Sequence, residues 1–231
     1  MDLVLTSTQL ATFDFSRGVG AVHTPSSEDL KATLADLSKV LGSALVTGGV
    51  AVVHYGYERS TKDIDVLYAN HDEYDLLRRL KKDFKLVRKS TSGWHHFDHR
   101  KTKVRLELIP EGAVGTYGFI PGPKTVGGDS GFISLLGLVW LKLVAGRGRD
   151  IADMIDLAKL RMEEMVALQD RLPPENRERF AEVLAQARKE MAFDPGRLPD
   201  DSTLDNHPVE ESKSSYGNKK RAVRKPAKKK R

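Results

Sequence analysis

Leucines at positions 30, 34, 37 and 41 recur three and four residues apart behind Ser26-Ser27-Glu28-Asp29. That spacing predicts a helix that starts at a capping sequence and ends near Gly42. Ala44-Leu45-Val46-Thr47 is a short apolar run with two β-branched members, followed by Gly48-Gly49 and then Val50-Ala51-Val52-Val53-His54-Tyr55. A strand, a tight turn and a short helix are expected there. Ile64-Asp65-Val66-Leu67-Tyr68 reads as a second strand, and Glu73 to Leu80 as an amphipathic helix. Phe84 to Arg88 suits a strand, and Trp94–Phe97 and Lys103–Ile109 suit a pair joined by the charged turn 98–102.

The stretch from Pro110 to Gly131 is rich in glycine and proline and reads as a loop. A helix is expected from Phe132 to Ala145. A second begins near Arg149, with Ile151, Met154, Ile155, Ala158 and Leu160 as its packing face. Leu172-Pro173-Pro174 stops that region, Glu175 to Met191 forms a last helix, and Asp194-Pro195-Gly196 ends the ordered part. The corresponding division is an N-terminal extension (1–27), a core (28–165), a helical segment (166–196) and a disordered basic tail (197–231).

At 231 residues, 39% of them hydrophobic, the chain suits one domain with appendages or two small ones. It contains no cysteine, which excludes disulfides, thiolate metal sites and a cysteine nucleophile. No apolar run reaches membrane-spanning length, and Met1-Asp2-Leu3 lacks the basic start of a signal peptide. The expected setting is the cytoplasm, with no membrane partner.

The net charge of +6 belongs to one end of the chain. Positions 213–231 hold ten Lys or Arg and no Asp or Glu, which leaves the other 212 residues at −4. Such a tail has too few apolar side chains to fold alone and is suited to nucleic-acid phosphates, or to acting as a solubilising terminus.

The densest chemistry lies between positions 48 and 65. Period-2 alternation puts Asp63 and Asp65 on one face of their strand. Two carboxylates held so close repel unless a cation joins them, and hard ions such as Mg²⁺ take oxygen ligands of this kind. Gly48 and Gly49 would let a phosphate approach the backbone at a helix start. A glycine pair alone is usually a turn, and an acidic pair alone is common on surfaces. Together they point to a catalytic or nucleotide-binding site.

The segment Gly48-Gly49, then Arg59-Ser60-Thr61-Lys62-Asp63-Ile64-Asp65-Val66, resembles the signature of the DNA polymerase β-type nucleotidyltransferase superfamily. It is most similar to the AbiEii/MenA-like toxin-type and related minimal nucleotidyltransferase groups. The run from Leu141 to Asp153, with Lys142, Arg149, Asp150 and Asp153, resembles the later helix motif of those groups, and the likeness covers roughly residues 35–165. It implies an α+β fold of the polymerase β-like kind, a mixed β-sheet flanked by helices.

The resemblance also implies a third acid from a later strand, and Glu107 is the best placed, although the family more often carries Asp there. An ion pair of Glu107 with Arg105 or a neighbour is its alternative. On this reading Asp63, Asp65 and Glu107 hold Mg²⁺ or Mn²⁺, and an NTP is the substrate. Lys142 meets its phosphates, helped by Arg59, Thr61, Lys62 and Arg149. Asp150 and Asp153, one helical turn apart, would hold Arg59, Arg147 or Arg149, or form a purely structural network. His95, His96 and His99 suggest zinc only weakly, because adjacent strand residues face opposite ways, and hairpin surface is the plainer reading. No Walker A loop or HExxH motif is present.

The implied reaction moves an NMP from an NTP to an acceptor hydroxyl on tRNA or protein. A non-catalytic nucleotide-binding protein that meets an antitoxin is one alternative. An enzyme acting on a small molecule such as an aminoglycoside is another.

Overall fold

The computed structural model describes residues 25–91 and 93–193. The expected stop at 194–196, the basic tail and most of the N-terminal extension lie outside the described residues.

The first helix, α1 (Ser27–Ser38), begins at the predicted capping box. Ser26 Oγ accepts from the Asp29 amide at 3.1 Å, and the Asp29 carboxylate accepts from the Ser26 amide at 3.0 Å. The helix stops four residues before Gly42, whose φ of +66° belongs to the turn leading to the sheet. Strand β1 (Leu45–Thr47) runs directly into α2 (Gly48–His54), so the glycine pair opens the helix rather than forming a separate turn. Then follow β2 (Asp63–Tyr68), α3 (Glu73–Leu80), β3 (Phe84–Arg88), β4 (His95–His99) and β5 (Arg105–Pro110), all close to expectation.

The glycine-rich stretch is more structured than its composition predicts. It holds a small hairpin, β6 (Val114–Gly115) with β7 (Gly118–Phe119), a helical turn α4 (Pro123–Val126), and β8 (Gly128–Asp129). Phe132 and Ile133 form strand β9, not the start of a helix. Ser134 separates the two: its Oγ accepts from the Gly137 amide at 3.0 Å and caps α5 (Leu135–Ala145).

Helix α6 (Gly148–Leu160) comes next. It buries Met154, Leu157 and Ala158 together with Asp150 and Asp153, while Leu160 is exposed. The packing face therefore runs through Leu157 and two carboxylates rather than through Leu160. A short helix, α7 (Met162–Leu168), which the apolar pattern did not single out, precedes α8 (Pro174–Ala192), and α8 packs along α6.

Seven strands form one sheet in the order β3-β4-β5-β2-β1-β9-β8. The pairs β2/β5 and β1/β9 are parallel and the others antiparallel, so the fold is α+β with a mixed sheet flanked by helices. Between β3 and β5 the two faces differ. One carries Phe97, His95, His99, Leu106 and Leu108, all buried, and is tied to α1 and α3 through hydrogen bonds from His99 to Asp36 and His95 to Glu73. The other carries Lys85, Arg88, His96, Asp98, Arg105 and Glu107, all exposed or half-buried. Residues of α5 and α6 meet Asp65 and Glu107 of that second face around the pockets that form the candidate site. Among the described residues no helix is long and apolar enough to cross a membrane.

Candidate functional site

Gly48 has a φ of +63°, a left-handed backbone that favours glycine. A Cβ there would overlap the Asp65 carboxylate, and one at Gly49 would lie 2.6 Å from Thr61 Oγ1. Side-chain oxygens of the acidic strand thus fill the space that the glycines leave. Thr61 is buried, and its hydroxyl donates to the Asp63 carbonyl at 3.2 Å and to the Asp63 carboxylate at 3.3 Å.

Asp63 and Asp65 share a face of β2, as period 2 requires. Parallel pairing sets Asp65 opposite Glu107 and Asp63 opposite Arg105. On the far side of β5, His96 stands opposite Glu107, with Nδ1 3.3 Å from Oε1. The alternative partner for Glu107 is therefore His96, while Arg105 turns to Asp98 at 3.7 Å.

Asp63, Asp65 and Glu107 all line one pocket of about 180 Å³, together with Gly48, Gly49, Arg59, Lys142 and Arg149. An adjoining cleft of about 440 Å³ shares Asp65, Glu107, Lys142 and Arg147, and continues over Trp94, Ile109, Ile120, Leu138 and Leu141. One half of the site is thus charged and the other largely apolar.

Burial, and then repulsion from Asp63 and Glu107, push the Asp65 carboxyl up to about 7, against the opposing pull of Lys142 and Arg147. The carboxylates consist of hard oxygen donors whose mutual repulsion a divalent ion would relieve, so the donor chemistry fits Mg²⁺. As the side chains stand, no group of three or more His, Cys, Asp or Glu among the described residues is gathered tightly enough to hold a metal ion.

The basic residues are distributed unevenly. Lys142, on α5, is only 4% exposed, and its ammonium donates to Asp153 at 2.6 Å and to Asp150 at 3.4 Å. Arg59 bonds the same Asp153 carboxylate, and desolvation lowers the guanidinium's proton affinity in spite of that partner. Arg147 Nε donates to Asp150 at 2.7 Å. Burial pushes Asp150 up, but Arg147 and Lys142 outweigh it and hold the carboxyl below the usual range. Arg149 donates to the Ser60 carbonyl at 2.9 Å instead of meeting either acid. Lys62 is exposed and lines neither cavity.

The three histidines do not converge. His95 and His99 are each 1% exposed, so they are not hairpin surface. His95 Nε2 lies 2.9 Å from Glu73, and His99 bridges Thr102 and Asp36. Only His96 reaches the site. It and Trp94 share a face with Glu107 through strand alternation and cross-strand pairing, a signal present in the sequence. The cleft half of the site, with Ile120 and Leu138 from distant segments, had no such signal.

No protein-family model matches this chain, and no curated protein is significantly similar to it.

Proposed function

We propose that the chain is a divalent-metal-dependent nucleotidyltransferase with a polymerase β-like catalytic core, transferring an NMP from an NTP to an acceptor hydroxyl. One observation carries the reading: Asp63, Asp65 and Glu107 project from adjacent parallel strands into one pocket whose other wall sets Arg59, Lys142, Arg147 and Arg149 beside Asp150 and Asp153. Asp63, Asp65 and Glu107 would hold Mg²⁺ or Mn²⁺, which supplies neutralisation of phosphate charge and a more acidic acceptor hydroxyl. Arg59, Lys142 and Arg149 line the same pocket and suit the phosphates. The 440 Å³ cleft, apolar on its far side, is large enough for a nucleoside or the end of an acceptor. No nucleophilic side chain is required, because phosphoryl transfer rests on positioning and charge stabilisation.

A nucleotide-binding protein without turnover is the second reading. It is favoured by Lys142, whose ammonium is engaged by Asp150 and Asp153, and by carboxylates not gathered around one point. NTP binding measured with and without Mg²⁺, followed by incubation of labelled NTPs with cellular RNA and protein, separates the two. The enzyme reading expects Mg²⁺-dependent binding that Asp63→Asn and Asp65→Asn abolish, together with label in an acceptor. Binding that ignores both the metal and the substitutions overturns it. Removing residues 213–231 should weaken a nucleic-acid acceptor strongly at low salt and leave a small-molecule acceptor nearly unaffected.

A further inference from the structure

Between positions 81 and 105 there are nine Lys or Arg and only two acidic residues, a local excess in a body that is otherwise slightly acidic outside the tail. The strand register shows where this charge goes. Asp65, Glu107, His96 and Arg88 are successive cross-strand partners on β2, β5, β4 and β3. Asp63, Arg105, Asp98 and Lys85 form a second row beside them. Each row crosses four strands, so it runs about 14 Å from the carboxylates to the sheet edge. Lys85 and Arg88 are exposed and, among the described residues, form no ion pair; Arg105 has Asp98 as its partner. The β4–β5 turn extends the cationic surface with Arg100, Lys101 and Lys103, all exposed.

We infer that the open face of β5, β4 and β3 is the docking track for a single-stranded nucleic-acid acceptor, whose phosphates follow Arg105, Lys85 and Arg88 while its end enters the cleft beside Glu107. This rests on the proposed transfer reaction and specifies its acceptor. Charge complementarity selects a polyanion. Trp94, half-buried and lining the cleft, would offer the aromatic surface on which an unpaired base stacks, which selects a single strand over a duplex. The track is a sheet face of the folded core.

The test uses the full chain and a fluorescent, unstructured RNA oligonucleotide of about a dozen nucleotides, with its affinity measured across a salt series. In the variant carrying Lys85→Gln, Arg88→Gln and Arg105→Gln, the oligonucleotide should bind at least about tenfold more weakly at low salt. The slope of log K against log salt should flatten by about 2, since each lost phosphate contact on a single strand removes roughly 0.7. Mg²⁺-dependent NTP binding should be retained, which checks that the variant folds. Single Lys85→Gln and Arg88→Gln substitutions, at exposed edge-strand positions, should each flatten the slope by about 0.7 and keep the question answerable if the triple variant is unstable. An unchanged slope would assign RNA binding to the tail and overturn the track, as would absence of binding to the unsubstituted chain. Asp63→Asn tests the transfer reaction separately, since it should leave the salt slope in place whatever becomes of catalysis.

Discussion

Asp65 and Glu107 stand directly opposite each other on the parallel strands β2 and β5, and their like charges help hold the Asp65 carboxyl near neutrality. A parallel pair fixes this approach over its whole length, because β2 and β5 stay in unbroken register from Asp63/Arg105 to Tyr68/Pro110. The cationic groups nearby do not remove the conflict. Lys142 and Arg147 pull Asp65 towards ionisation, but both are hydrogen-bonded to carboxylates of α6. The site is thus acidic on the sheet and neutralised on the helices, and its sheet side is where an added cation has most to stabilise.

That conflict has a pH signature. In the folded chain Asp65 keeps its proton up to about pH 7, whereas its ordinary value is 3.8. Between those limits the native state binds more protons than the unfolded state, so stability should fall as pH rises from about 4 to about 7 and change little beyond. Asp65→Asn should remove this slope and stabilise the chain at pH 7–8 by about 1–3 kcal/mol, a range kept below the full shift because the residue is only half-buried and lines an open pocket. Mg²⁺ should flatten the slope of the unsubstituted chain, because it favours the ionised form. Denaturant titrations at pH 5, 6, 7 and 8 check both. A variant with the unsubstituted chain's pH slope would place the titrating group elsewhere.

Gly48→Ala should be damaging in two separable ways. The left-handed backbone alone costs about 1–2 kcal/mol with a Cβ present. The overlap with Asp65 should add to that and push the carboxylate out of the pocket. Gly56→Ala is the matched control: φ is +97°, and nothing lies within 4 Å of an added Cβ. Both variants should lose stability, but Gly48→Ala alone should lose Mg²⁺-dependent NTP binding. Equal effects on binding would mean that Gly48 matters only for its backbone.

Adjacent histidines on β4 should behave as opposites. His95 is buried, with Glu73 2.9 Å from Nε2 and the Ser90 amide 3.3 Å from Nδ1. His95→Ala leaves a cavity and unpaired neighbours, and should cost about 2–3 kcal/mol. His96 is half-buried on the open face, so His96→Ala should fall within about 0.5 kcal/mol of the unsubstituted chain. Thermal melts of the two variants decide whether the face assignment is right.

What the sequence disclosed follows the strength of its local signals. Ser26 with Asp29, the alternation at Asp63 and Asp65, and the paired segments around 98–102 are local patterns, and each appears where expected. Phe132 and Ile133 were lost because an apolar dipeptide joined to an apolar helix carries no period of its own. Only the partners Val46 and Asp129 of Phe132 and Gly128 of Ile133 make them a strand. The sequence pairs Asp150 and Asp153 with Arg59, Arg147 or Arg149; Arg59 and Arg147 do reach them, while Lys142 joins from α5 and both carboxylates are buried, which helical spacing alone does not disclose. Lys62 sits next to Asp63 but turns outward, as period 2 alone would have said.

Asp153 is the joint on which the helical side of the site depends. It accepts from both Lys142 and Arg59, and all three side chains are nearly excluded from solvent. Asp153→Ala would leave buried Arg59 without a carboxylate partner and Lys142 with only its longer contact to Asp150, a loss of about 3–5 kcal/mol. Lys142→Met alone should also destabilise, since it leaves Asp153 with Arg59 only. The combination of Asp153→Ala with Lys142→Met should cost much less than the sum of the single losses, as coupled buried charges require. Urea titrations of the two single variants and the double variant measure the coupling directly. If the double variant shows simple additivity, Asp153 and Lys142 act independently, and the close pairing of α5 with α6 at this point is not what holds Lys142 beside the carboxylate pocket.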